Sequence, residues 1–151
     1  MTIIDRENFS IEEANTFFNK QCGMKGLSGL SSDMREIENA AAAGHQRARQ
    51  ALDIFCYRVK KYISAYIGVL NGADLIVFTG GIGENSALVR EKSLSNLENL
   101  GILLDPAHNK IAHGVEGIIS SAESKINVLA VPTNEELVIA LETEKVIITS
   151  Q

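Results

Sequence analysis

Val77-Phe78-Thr79-Gly80-Gly81-Ile82-Gly83-Glu84-Asn85-Ser86 is the stretch whose residue types and spacing bear most directly on chemistry. The apolar, β-prone run Leu75-Ile76-Val77-Phe78 has the pattern of a short strand buried on both faces. It breaks into Gly80, Gly81 and Gly83, which carry no Cβ to hold a flat ring or a phosphate away from the backbone. From Asn85 onward, Leu88, Leu94, Leu97 and Leu100 form a partial apolar stripe, so the turn is expected to open onto a helix N-terminus with free N–H groups. A strand-to-helix turn that needs glycine only for its dihedral angles satisfies the same pattern, and Gly-x-Gly by itself does not choose between the two.

A second candidate lies at Thr133-Asn134-Glu135-Glu136, after the strand-like run Ile126 to Val131 and Pro132. Thr133 can cap the helix that follows, with Glu136 returning to the cap, which leaves Glu135 without a structural duty. A carboxylate in the first turn after a parallel strand points toward the crevice where α/β sheets bind ligands, and there it could hold a hydrated magnesium ion. It could equally complement the helix dipole, and local sequence favours that plainer role.

The elements that would position these residues follow from periodicity. Ile11 to Lys20 reads as a short helix, and residues 23–32 read as a loop rich in Gly and Ser. Asp33 to Ala43 reads as a helix capped by Ser32 or Asp33 and ended by Gly44. A long helix is predicted from His45 to Leu70, with Ala48, Leu52, Phe55, Val59, Ile63, Tyr66 and Leu70 on one stripe, ended by Asn71-Gly72. Residues 101–122 suggest short strands and turns, and Thr133 to Ile148 a final helix. His45, His108 and His113 read as surface histidines without a zinc spacing.

Composition narrows the function classes. The chain has 151 residues, 45% of them hydrophobic, which suits one ordinary globular domain. A net charge of −5, from 14 basic and 19 acidic residues with no basic run, argues against a nucleic-acid partner. Cys22 and Cys56 form neither a C-x-x-C pair nor a disulfide framework, which fits a reducing cytoplasm. No apolar stretch reaches the roughly 20 residues needed to span a bilayer, so neither a membrane nor a secretory role is expected. No Ser stands in a Gly-x-Ser-x-Gly elbow, and neither Cys has a neighbourhood that would activate a nucleophile.

Taken in order, Ser28-Gly29-Leu30-Ser31-Ser32-Asp33-Met34-Arg35, then Val77 to Asn85, then Val131-Pro132-Thr133-Asn134-Glu135-Glu136 resemble the C-terminal part of the acetate, propionate and butyrate kinase family. The resemblance runs from about Ser10 to the C-terminus. It implies an α/β fold, part of a ribonuclease H-like domain of the actin-like ATPase superfamily, with the whole chain as the C-terminal part of one nucleotide-binding domain. It implies that Asp33, Met34 and Arg35 lie beside the adenosine of ATP or ADP, that Gly81, Ile82, Gly83, Glu84 and Asn85 contact adenine and ribose, and that Glu135 binds magnesium. Gly80 departs mildly, since some family members carry Ala there.

The family's Asn-Cys-Gly-Ser-Ser-Ser phosphate loop and its His-Arg-x-x-His-Gly-Gly and His-Leu-Gly-Asn-Gly segments do not occur in this sequence. The resemblance therefore implies a fragment that carries no catalytic residues and is inactive alone. The complete enzyme would be a cytoplasmic homo-oligomer transferring phosphate between ATP and acetate or another short carboxylate. A truncated, noncatalytic module that binds nucleotide or protein is the alternative. A ribonuclease H-like sheet with only its last two strands would leave Leu75 to Phe78 with an unpaired edge, from which self-association is expected.

Overall fold

The computed structural model describes residues 2–149 apart from the side chain of Glu135, and divides into two compact units, residues 1–70 and 71–151. The first unit is helical: α1 (Ile3–Glu7), α2 (Ile11–Thr16), a π-helical turn at Phe17–Gln21, α3 (Met24–Ser28), α4 (Met34–Ala42) and α5 (Gln46–Val69). Ser10 caps α2 in a reciprocal box with Glu13. Asp33 caps α4 by accepting from Arg35 N at 2.8 Å, and His45 caps α5 by accepting from Ala48 N at 3.1 Å.

α4 packs on α5 through Met34, Ile37 and Ala41 on one side and Ala48, Ala51, Leu52 and Cys56 on the other, all buried. The alanines suit a close approach of the two backbones, and Ile37 and Leu52 are the largest fully or almost fully buried apolar side chains of the pair. The expected stripe on α5 holds only in part. Phe55, Val59 and Ile63 are half-buried, whereas Tyr66 and Leu70 are exposed.

Residues 23–32 depart from the expected loop, because Met24–Ser28 closes a helical turn. A glycine and a serine among its five residues, with a further glycine at either end, give it little intrinsic helicity. A contact distant in sequence holds it instead: Arg47 on α5 donates from Nε to Leu27 O at 3.1 Å and from Nη2 to Gly26 O at 2.8 Å.

The second unit holds β1 (Leu75–Phe78), α6 (Gly80–Asn85), α7 (Ala87–Leu94), a 3₁₀ turn at Glu98–Leu100, α8 (Pro106–Ile111), β2 (Gly117–Ile118), β3 (Asn127–Ala130) and α9 (Glu135–Thr149). The sheet order is β1-β3-β2. β1 runs parallel to β3, Leu75 opposite Asn127 and Phe78 opposite Ala130, and β2 runs antiparallel to it. Among the described residues β1 therefore has one strand neighbour and a free edge, the arrangement expected of the last two strands of a ribonuclease H-like sheet.

β1 is not buried on both faces as its sequence suggests. Leu75 and Val77 are each 48% exposed while Phe78 is buried, because none of the described residues covers their face of the strand. The buried apolar residues of this unit include Phe78, Val128, Ala130 and Ile119, together with Val89, Leu94, Ile102 and Ala112. α8, within a stretch that reads as strands and turns, is capped by Asp105, which accepts from Ala107 N and His108 N, and has Pro106 in its first turn.

Candidate functional site

The ends of β1 and β3 lie side by side, and the two motifs leave the sheet there. The glycine segment is itself a helix. Sequence places the helix start at Asn85, but α6 begins at Gly80 and ends at Asn85, after which Ser86 is extended and caps α7 by accepting from Val89 N at 3.0 Å.

The three glycines in this short helix are not equivalent. Gly80 sits at φ +70, where a side chain is strained. At Gly83 a Cβ would lie 3.2 Å from the backbone carbonyl carbon of Phe78, a tight contact with backbone, so glycine lets α6 fold back closely on the end of β1. At Gly81 a Cβ would meet nothing within 4 Å, and the backbone is not in the left-handed region. Glycine costs about 1 kcal/mol against alanine in a helix, and at Gly81 the fold gives no reason for it. The exposed backbone at Gly81 and the exposed side chain of Ile82 form an open surface.

The last three carbonyls of α6 have no partner within the helix. Each is met from outside it. Gly83 O accepts from Arg90 Nη1 at 2.8 Å, Glu84 O from Gly114 N at 3.3 Å, and Asn85 O from His113 Nδ1 at 2.8 Å. A carbonyl can only accept, so Nδ1 of His113 carries the proton. Asn85 Nδ2 donates back to Gly81 O at 2.9 Å, closing the helix on itself.

Arg90 is fully buried and also donates from Nε to Asn109 Oδ1 at 2.7 Å and from Nη2 to Asn109 O and Ala112 O at 2.7 and 2.6 Å. Burial lowers its pKa from the ordinary guanidinium value. Sequence reading missed Arg90 and Asn109 and took His113 for a bare surface residue, although its ring is bonded as well as exposed. The available signal was an arginine between the core positions Val89 and Leu94.

The second motif meets the first through Glu84, whose Oε2 accepts from Thr133 N at 2.9 Å. Thr133 is thus engaged through its own N–H, and among the described side chains Asn134 bonds into the first turn of α9, with Oδ1 accepting from Leu137 N at 2.9 Å. This corrects the expected Thr133 and Glu136 cap. α9 starts one residue after Asn134, so Asn134 stands at the cap position. The side chain of Glu135, the expected magnesium ligand, lies outside the described residues. Among the described residues no group of three His, Cys, Asp or Glu side chains could hold a metal ion.

In the first unit, Asp33 and Arg35 pair through Asp33 Oδ1 with Arg35 Nε at 3.2 Å and Oδ2 with Nη2 at 2.7 Å. The Arg35 guanidinium holds the Asp33 carboxyl down to about 2, and the carboxylate raises the Arg35 pKa in return. Both stay charged at neutral pH, with most of the Arg35 side chain in solvent. Met34 between them is in the core, so its side chain serves packing. Among the described residues no helix is long and apolar enough to cross a membrane.

Residues 1–141 match the Acetokinase family. The acetate kinase of Desulfitobacterium hafniense strain DCB-2 is 53% identical over 145 residues, covering 96% of this chain and 36% of that protein. The acetate kinase of Caldicellulosiruptor bescii is 50% identical over 146 residues, covering 96% of this chain and 37% of that protein. Among solved structures, Porphyromonas gingivalis acetate kinase superposes with a TM-score of 0.86 at 41% identity over 96% of this chain and 36% of that one. A propionate kinase from Francisella tularensis gives 0.80 at 40% identity over 91% and 35%. The chain thus spans about a third of the length of the relatives it matches, and its fold is α/β, part of a ribonuclease H-like domain of the actin-like ATPase type. With its motifs in order and the family match running almost end to end, the chain belongs to the acetokinase family.

Proposed function

We propose that this chain supplies the adenosine-binding wall of an acyl kinase that, when complete, reversibly transfers a phosphoryl group between ATP and acetate or another short carboxylate. Gly81 is the observation that carries the reading. A glycine that neither backbone geometry nor packing demands, on an open surface at the C-terminal ends of parallel strands, is suited to close approach by a flat ring. Gly81, Ile82 and Gly83 would offer backbone to adenine, and Glu84 and Asn85 polar contacts to the ribose. On the strength of the resemblance alone, Asp33 and Arg35 are proposed to add polar contacts to the nucleoside, and Met34 to hold that segment in place.

Phosphoryl transfer depends on positioning and on neutralising charge around the moving group. The residues proposed here position the nucleoside, and none of them reaches for the acceptor carboxylate. Magnesium would supply charge neutralisation near the phosphates, with Glu135 as the proposed carboxylate ligand; one or two carboxylates with waters suffice for that ion. A cytoplasmic, homo-oligomeric enzyme is part of the same proposal.

Calorimetric titration of the chain with ADP tests the reading. Weak binding is expected, because phosphate contacts from the family's other segments are absent from this sequence. Gly81→Val should weaken it by about tenfold or more, as a branched side chain displaces the ring, while the melting temperature stays close to that of the unsubstituted chain. Equal affinity in the variant would remove Gly81 from the adenosine contact.

A further inference from the structure

We infer that Arg90 is a positioning residue for the nucleotide segment: through the Gly83 carbonyl its guanidinium fixes α6, and with it the open backbone at Gly81, against α8. The inference rests on the adenosine reading of that segment. Arg90 has no exposed surface, and its four hydrogen bonds all go to neutral oxygens, on Gly83, Ala112 and twice on Asn109. A charged group is costly to bury, and an apolar side chain of similar length would fill the same space without that cost. What only a guanidinium can do is donate in several fixed directions from one plane. Here those directions span three segments of chain.

The acceptor side is equally specific. Asn109, itself buried, donates from Nδ2 to Ala87 O at 2.9 Å, which turns its Oδ1 toward Arg90 Nε and ties α8 to the first residue of α7. His113 and Gly114, just beyond α8, hold the carbonyls of Asn85 and Glu84. The three consecutive carbonyls that end α6 are therefore held by one fork and by the chain segment that the fork anchors. A six-residue helix containing three glycines has little stability of its own, so its orientation is set by these bonds. A lysine at position 90 keeps the charge but cannot reproduce the fork.

The test compares the unsubstituted chain with Arg90→Lys by amide hydrogen exchange and by ADP titration. Arg90→Lys is expected to speed exchange of the amides from Gly83 to Ser86 at least about tenfold, leave β3 amides protected, and raise the ADP dissociation constant about tenfold or more. Unchanged exchange in α6 together with unchanged ADP affinity overturns the inference. Should Arg90→Lys fail to fold, His113→Ala removes one bond from an exposed ring; a roughly threefold weaker ADP affinity at an unchanged melting temperature supports the clamp, and no change in affinity or exchange overturns it. If the unsubstituted chain binds no ADP, the nucleotide reading fails, while the ligand-free exchange comparison still decides whether Arg90 holds α6.

Discussion

Gly83→Val is expected to destabilise the chain by about 1–3 kcal/mol and to abolish ADP binding. The Cβ would stand 3.2 Å from the carbonyl carbon and 3.5 Å from the Cα of Phe78, both backbone atoms at the end of a hydrogen-bonded strand. Neither can yield without moving β1 away from β3, so α6 would be pushed off the strand end. Its bonds to Arg90 and His113 would lengthen with it. For a chain of this size each kcal/mol lowers the melting temperature by roughly 2–4 °C. The contrast with Gly81→Val separates the two glycines: one variant loses stability and binding together, the other binding alone. Thermal melts beside ADP titrations read the difference, and a Gly83→Val chain that melts like the unsubstituted one would show that α6 does not rest on Phe78.

In the complete enzyme, Glu135→Gln is expected to lower turnover by about tenfold or more and to raise the magnesium concentration needed for half-maximal rate. Affinity for ADP without metal should hardly change. The substitution removes charge and keeps size. It also leaves in place the bond from Leu137 N to Asn134 Oδ1 in the first turn of α9. Equal metal dependence combined with a lower melting temperature would return Glu135 to the role of complementing the helix dipole.

What the sequence disclosed divides along physical lines. α5 was legible because its periodicity persists over many turns, and Asn71 stops it by adopting a left-handed conformation at φ 56. β1 and β3 were legible from short, mostly apolar runs. α3 and α6 were hidden for one common reason: glycine lowers helical propensity, and both are held by arginines on other helices, Arg47 on Gly26 and Leu27 and Arg90 on Gly83. Tertiary hydrogen bonds decide such segments, and no local pattern announces them.

The candidate site shows the same division. Gly81 and Gly83 stood out because glycines after an apolar run are conspicuous, and Glu84 entered only through the family resemblance, but the separate reasons for the glycines required coordinates. The link from Glu84 to Thr133 joins residues 49 apart in sequence, and no local spacing suggested it. Met34 was carried into the site with its neighbours, and only its burial separates its role from theirs.

The adenosine-binding role is tested most directly by mapping amide chemical shifts of the chain during titration with ADP. Shifts are expected to concentrate at residues 79–85 and 131–134, around the Glu84–Thr133 bond, and to vanish in Gly81→Val. Saturable shifts centred elsewhere, or none at millimolar ADP, about the weak end of specific binding, would contradict the assignment of this surface to the nucleoside.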